Sequence, residues 1–217
     1  MIGAMPLFRK GAEADLYLED WHGRKVVVKR RVCKTYRLEV LDTKLRNFRT
    51  IHEAQIMHNA KHSGVPTPTI YMVDPHEYTI IMEYIFGKRL KEALEQTSSN
   101  QRNNLCQLAG SQIAMLHREG IIHGDLTTSN MIFTEEEKIF FIDFGLSYYS
   151  IELEDFGVDL HLMKRALNST HFLHANECFN QVIAGYREIS GDRDTREVVG
   201  KVLEVERRGR YYAERGA

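Results

Sequence analysis

The residues whose types and spacing carry the most chemistry are His123-Gly124-Asp125-Leu126-Thr127-Thr128-Ser129-Asn130, followed by Asp143-Phe144-Gly145. An aspartate with an asparagine five positions on, then Asp-Phe-Gly behind an apolar strand, fits phosphoryl transfer. A hydroxyl nucleophile needs a carboxylate to orient it and take its proton, and Asp125 suits that role. Nucleotide phosphates need hard divalent cations, which prefer oxygen ligands, and Asn130 and Asp143 supply such oxygens. Gly145 lets the chain turn tightly at the metal. Taken singly, these residues read equally well as turn caps. Their conjunction after a long amphipathic helix favours catalysis.

Upstream residues complete the set. Val26-Val27-Val28-Lys29 is an apolar strand that delivers one lysine, as needed to hold the α- and β-phosphates. Glu53, in Ile51-His52-Glu53-Ala54-Gln55, is the first candidate for the carboxylate that orients Lys29, and Glu39 is the second. Lys10-Gly11-Ala12-Glu13-Ala14 sits where a phosphate-covering loop belongs, with one glycine instead of three. Read alone, that segment is an ordinary hairpin turn. Met82-Glu83-Tyr84-Ile85 is placed to offer backbone donors and acceptors to an adenine, chiefly from Met82, Glu83 and Ile85.

Positioning these groups takes two kinds of scaffold. Residues 14–19 and 25–32 read as a hairpin about a turn at 21–23, and residues 69–73 and 79–84 as two further strands. Between them, Leu41, Leu45 and Phe48 fall at helical spacing, and the pattern runs on toward His62 before Gly64, Pro66 and Pro68 end it. Leu105, Leu108, Ala109, Ile113 and Leu116 form the stripe of a long buried helix. Residues 121–134 read as irregular, and 138–143 as a short strand ending on Asp143. Phe156, Leu160, Met163 and Leu167 mark another helix, and the rest reads as helical to about Arg208 with a break at Gly191. The expected fold is therefore α+β and two-lobed. A strand-rich N-lobe spans residues 1–86, a helical C-lobe 87–206, and a basic tail 207–217.

Composition narrows the classes. With 43% hydrophobic and 27% charged residues among 217, the chain buries a sizeable core and is not disordered. No apolar run approaches the roughly 18 residues of a membrane span. Three widely spaced cysteines argue against a disulfide framework and fit a reducing cytoplasm. His171, His174 and Cys178 have ligand-like spacing but no fourth partner nearby, so they read as helix residues and not as a zinc site. The net charge of −1 hides a stretch, residues 24–37, with seven basic side chains and no acidic one. Its surplus cations Arg30, Arg31, Lys34 and Arg37 read either as solvated strand faces or as a surface for a phosphate backbone.

With these motifs in hand, the chain resembles the protein-kinase superfamily along its length. More closely, it resembles the small atypical, RIO-like kinases of the KEOPS tRNA-modification complex. The likeness rests on Gly11-Ala12-Glu13-Ala14, Lys34-Thr35-Tyr36-Arg37, Arg49-Thr50 leading to Glu53-Ala54, HGDLTTSN, Asp143-Phe144-Gly145-Leu146-Ser147 and Arg208-Gly209-Arg210. It implies a kinase fold with a truncated C-lobe, using ATP with Mg2+ or Mn2+. It implies a serine/threonine kinase able to autophosphorylate, with ATPase activity in forming threonylcarbamoyladenosine on tRNA. Implied partners are the threonylcarbamoyl-transferase subunit, a small subunit on the N-lobe, and tRNA. RIO-type or small-molecule kinases share the His-Gly-Asp pattern, and a non-catalytic nucleotide-dependent scaffold is a third reading. Two departures stand out. Gly124 replaces the arginine that commonly precedes the catalytic aspartate, and only nine residues separate Gly145 from Asp155, leaving little platform for a peptide substrate.

Overall fold

The computed structural model describes residues 7–11 and 13–215, with side chains as far as residue 208. Ala12 of the expected phosphate-covering run lies outside the described residues. Five antiparallel strands come first: β1 (Leu7–Lys10), β2 (Ala14–Trp21), β3 (Arg24–Arg31), β4 (Ile70–Asp74) and β5 (Thr79–Glu83), in sheet order β1-β2-β3-β5-β4. The β2–β3 hairpin closes on His22 and Gly23, both with positive φ (52° and 74°), the two-residue turn whose twist matches paired strands. That tight turn fixes the register: Trp21 faces Arg24 and Leu16 faces Lys29. Alternation then divides β3. Val26 and Val28 are buried with Ile81 on one side, while Val27, Lys29 and Arg31 line a cleft on the other.

Helix α1 (Glu39–His62) packs on the same face as the cleft, against β4 and β5. Its packed side carries Thr50, Glu53, Ala54, Met57 and Ala60. Leu41 and Phe48, two of the three residues whose spacing announced the helix, are 51% and 61% exposed. The stripe correctly marks a helix, but its N-terminal half is not in the core, because the buried face there is polar.

The second half of the chain is mainly helical. It contains β6 (Lys88–Arg89), α2 (Leu90–Gln96), α3 (Ser99–Arg118), β7 (Ile121–Ile122), a 3-10 turn at Thr128–Asn130, β8 (Met131–Phe133), β9 (Ile139–Phe141), β10 (Tyr148–Tyr149), α4 (Leu153–Thr170) and α5 (Ala175–Arg215). Segment 121–134, irregular by sequence, contains two strands of two and three residues, β7 and β8, which are too short to leave a periodic pattern. Helix α5 is interrupted at Gly191, whose φ of 79° and ψ of 169° are non-helical. A continuous apolar core runs from Ile56, Met57 and Ile80 through Leu90 to Ile113, Leu116, Met163 and Val182. Among the described residues no helix is long and apolar enough to cross a membrane.

Helix α3 is the central post of this half. At Gly110 an added Cβ would lie 1.9 Å from the Val182 carbonyl oxygen, and at Gly185 it would lie 1.8 Å from that of Gln107. Backbone meets backbone there, so no side chain can swing aside. Gly110→Ala should therefore cost about 3 kcal/mol, measured by chemical denaturation. Gly200→Ala, with open space around it, should be neutral or stabilising by up to about 1 kcal/mol. Equal stabilities for the two variants would contradict this packing.

Candidate active site

The cleft between the sheet and the helices has a volume of about 580 Å³. Its floor is built from the HGDLTTSN segment. Asp159 of α4, fully buried, accepts the backbone N–H of His123 at 2.8 Å and of Gly124 at 3.0 Å. It also accepts from His117 Nε2 at 3.3 Å, and His117 Nδ1 meets the Tyr186 hydroxyl at 3.0 Å. Burial pushes the Asp159 carboxyl up, but the His117 hydrogen bond and charge and the His123 N–H more than offset it, leaving its pKa below the ordinary carboxylate value.

This anchor holds the turn that carries Asp125. Asn130 Nδ2 donates to the Asp125 carboxylate at 2.8 Å and to its carbonyl at 3.0 Å. That leaves the Asn130 Oδ1 as an acceptor. Gly124 has φ 77°, and a Cβ there would lie 2.4 Å from the Leu146 carbonyl oxygen. No arginine fits at 124. The departure from the common kinase pattern is thus a steric requirement of the close approach of residues 124 and 146.

Asp143 adopts φ 65°, a left-handed conformation that non-glycine residues adopt at some cost. The fully buried Phe144 ring sits 4.8 Å from the His123 ring, and the Ser147 hydroxyl donates to the His123 carbonyl at 2.7 Å. Both contacts hold the Asp-Phe-Gly turn in register with the floor. Asp143 reaches up to the other half of the cleft.

There Lys29 Nζ meets Glu53 Oε1 at 2.6 Å and Asp143 Oδ1 at 2.7 Å. Glu39, the alternative partner, lies exposed at the N-terminus of α1. Burial alone would lower the Lys29 pKa, yet the Glu53 and Asp143 carboxylates outweigh it and raise it. Asp143 responds in kind: burial pushes its carboxyl up, and the Lys29 ammonium brings it down. Residues 24 and 114 positions apart in sequence thus share one charge cluster.

Sequence reasoning missed Arg31. It is 5% exposed, and its guanidinium donates to Glu53 Oε2 at 2.6 Å and to Glu13 Oε2 at 3.4 Å. Of the two open readings for the surplus cations, neither describes Arg31, which is interior; Arg30 is exposed and pairs with Glu77 at 2.6 Å. The available signal was strand parity, since positions 29 and 31 share a face.

Gly11, Glu13, Ala14, Met82, Glu83 and Ile85 all line the cleft. The Glu13 carboxylate, however, is held by Arg31 and Arg49. Apolar side chains of Leu16, Val27, Ile132 and Ile142 complete a slot suited to a flat base. Hard oxygens on Asn130 and Asp143 beside a lysine fit a metal-bound polyphosphate, whose own oxygens complete a magnesium-type shell. His171 Nδ1 is bonded to Glu95, and Cys178 packs against Cys106, so these two serve the helix packing. Arg208 pairs with Glu154 of α4.

A five-stranded sheet over helices, with a lysine–glutamate pair facing an Asp–Asn turn and an Asp-Phe-Gly, defines a protein kinase domain. The family model described as Protein kinase domain matches residues 16–181. Within that class the chain belongs to the Bud32 kinases, and it is a phosphotransferase. It is 47% identical over 213 residues to "KEOPS complex subunit Bud32" of Pyrococcus abyssi, covering 95% of this chain and 96% of that protein. It is 37% identical over 210 residues to "EKC/KEOPS complex subunit bud32" of Dictyostelium discoideum, covering 94% and 82%. A "Probable bifunctional tRNA threonylcarbamoyladenosine biosynthesis protein" of Methanothermobacter thermautotrophicus is 44% identical over 205 residues, 94% of this chain but 36% of that longer protein.

Asp159 generates a pH-dependent prediction. Its pKa is lowered on folding, so its contribution is present above the unfolded carboxylate value, near 4, and is lost as pH falls below it. Asp159→Asn should cost about 2–3 kcal/mol at pH 7 in chemical denaturation, and the gap to the parent should narrow on acidification below about pH 4. A gap that does not change with pH would contradict the anchor.

Proposed function

We propose that this chain is an ATP-dependent serine/threonine kinase and ATPase that works as a subunit of a KEOPS complex. The observation that carries the reading is the meeting of Lys29, Glu53 and Asp143 in the same cleft as the Asp125–Asn130 turn. The residues act as follows. Leu16, Val27 and Ile142 take the adenine between them, and Met82, Glu83 and Ile85 offer it their backbone polar groups. Gly11 and Ala14 flank the phosphates. Glu53 holds the Lys29 ammonium charged and fixed, ready to bind the α- and β-phosphate oxygens. Asp143 and Asn130 Oδ1 would hold Mg2+, which would supply positive charge against the phosphate oxygens. Asp125, oriented by Asn130, accepts the proton of the attacking hydroxyl, from a serine or threonine of this chain or from water.

The KEOPS assignment draws on the relatives' names and on the high coverage of both chains. The long bifunctional relative, of which this chain spans about a third, supports the threonylcarbamoyl-transferase subunit as partner. A small subunit on the N-lobe, tRNA as the modified substrate and a cytoplasmic location complete the proposal. A short run from Gly145 to Asp155 supports self-phosphorylation or hydrolysis over phosphorylation of a docked peptide.

The test is turnover of labelled ATP with magnesium, by the chain alone and with the transferase subunit and tRNA. Asp125→Ala and Asp143→Ala should each reduce turnover by about 100-fold or more. Turnover untouched by either substitution would overturn the assignment. Absence of ATP consumption in every mixture would favour a nucleotide-dependent scaffold, and transfer to a small alcohol a small-molecule kinase.

A further inference from the structure

Six charged side chains alternate in sign across the N-terminal half of the cleft. Arg49 of α1 pairs with Glu13, Glu13 with Arg31 of β3, Arg31 with Glu53, Glu53 with Lys29, and Lys29 with Asp143. The two oxygens of Glu53 are divided, Oε1 to Lys29 and Oε2 to Arg31. The Arg31 side chain is 4% exposed and that of Glu53 2%, whereas Glu13 is 40% exposed. A carboxylate at position 13 stands at the lip of a cleft shaped for a polyanion, where an unpaired negative charge would repel the phosphates. Two guanidinium groups draw it away from them.

Three elements are tied by this arrangement. Glu13 immediately precedes β2, Arg31 ends β3, and Arg49 lies one helical turn before Glu53 on the same side of α1. Arg31 Nη2 also donates to the Arg49 carbonyl at 3.3 Å, so the guanidinium clamps helix backbone as well as side chain. Two arginines next to Glu53 would otherwise compete with Lys29 for it. Glu13 occupies both, taking up their remaining charge and holding Arg31 on the outer oxygen of Glu53.

We infer that Glu13, Arg31 and Arg49 form an ionic clasp that positions Glu53 on Lys29, and that Glu13 aids nucleotide binding through this clasp and not by touching the phosphates. The clasp replaces, for this domain, the fastening that a glycine-rich loop achieves by backbone contact with phosphate. It rests on the ATP-site reading above. Glu13 and Arg49 are positioning residues, and both are exposed enough for neutral substitution without emptying the core.

The test is calorimetric binding of magnesium–ATP to the full chain and to Glu13→Gln, Arg49→Gln and the double variant, with Arg30→Gln, an exposed cation paired with Glu77 outside the clasp, as the control for a lost charge. Glu13→Gln should weaken binding about 10-fold, Glu13→Asp should restore part of it, and the double variant should be no worse than the weaker single one. The advantage of the parent should shrink as salt rises, since the clasp is partly solvent-exposed. Arg30→Gln should bind as the parent does. Parent binding with an unchanged Glu13→Gln affinity would overturn the clasp alone, as would additive single effects. A parent chain that does not bind magnesium–ATP would overturn the site reading and the clasp with it.

Discussion

The contact on which the rest of the structure depends is the buried pair of Lys29 and Glu53. Removing two charges from water costs several kcal/mol per ion unless further partners satisfy them. The molecule meets that cost with a third and a fourth charge, Asp143 from the C-terminal half and Arg31 from the next inward position of β3. Each partner imposes a condition on the fold. Lys29 and Arg31 must share a strand face, which the His22–Gly23 turn secures by register. Glu53 must face the sheet, and the helix before it buries polar Asp42 and Thr50 while Leu41 and Phe48 stay in solvent. Asp143 must turn back toward Lys29, at the cost of a left-handed backbone conformation.

A second anchor serves the lower half of the cleft. Asp159 gathers two backbone N–H groups and a histidine in full burial, and so sets the turn from which Asp125 and Asn130 project. The tight approach at Gly124 follows from the same turn. Where many kinases hold an arginine that waits for a phosphate on the activation segment, this chain has backbone against the Leu146 carbonyl. Phe144 is packed and Asp143 is paired with no such cation present. The Asp-Phe-Gly turn is thus held by packing and by Lys29, without an arginine at 124 to read a phosphate on its own loop.

How much of this was legible in the sequence follows from the distance over which each feature is determined. The Asp125–Asn130 and Asp143-Phe144-Gly145 groups are local, so their spacing carried them directly. The hairpin, the helix that follows it and the Gly191 break were also legible, because turn chemistry and periodicity act over a few residues. Glu53 was ranked above Glu39 by motif alone; only the packing of α1 against β4 and β5, which brings the Glu53 side chain to Lys29, makes the choice physical. Arg31 was hidden among surface-like cations, although strand alternation with Lys29 pointed inward. The short strands β1, β6, β7, β8 and β10 were illegible, since two to four residues cannot display a period. Gly124 was legible as a departure, but its cause, the carbonyl of Leu146, is a tertiary contact.

The account turns on Glu53 holding Lys29 in place for phosphate, and the most direct measurement is kcat/KM for ATP in Glu53→Gln against the parent. This change keeps the shape of the side chain and removes its charge, leaving Lys29 with Asp143 alone and Arg31 without its main partner. The account predicts a fall of about 10- to 100-fold, the equivalent of roughly 1.5–3 kcal/mol for a buried charge-assisted hydrogen bond. A kcat/KM within twofold of the parent would contradict it.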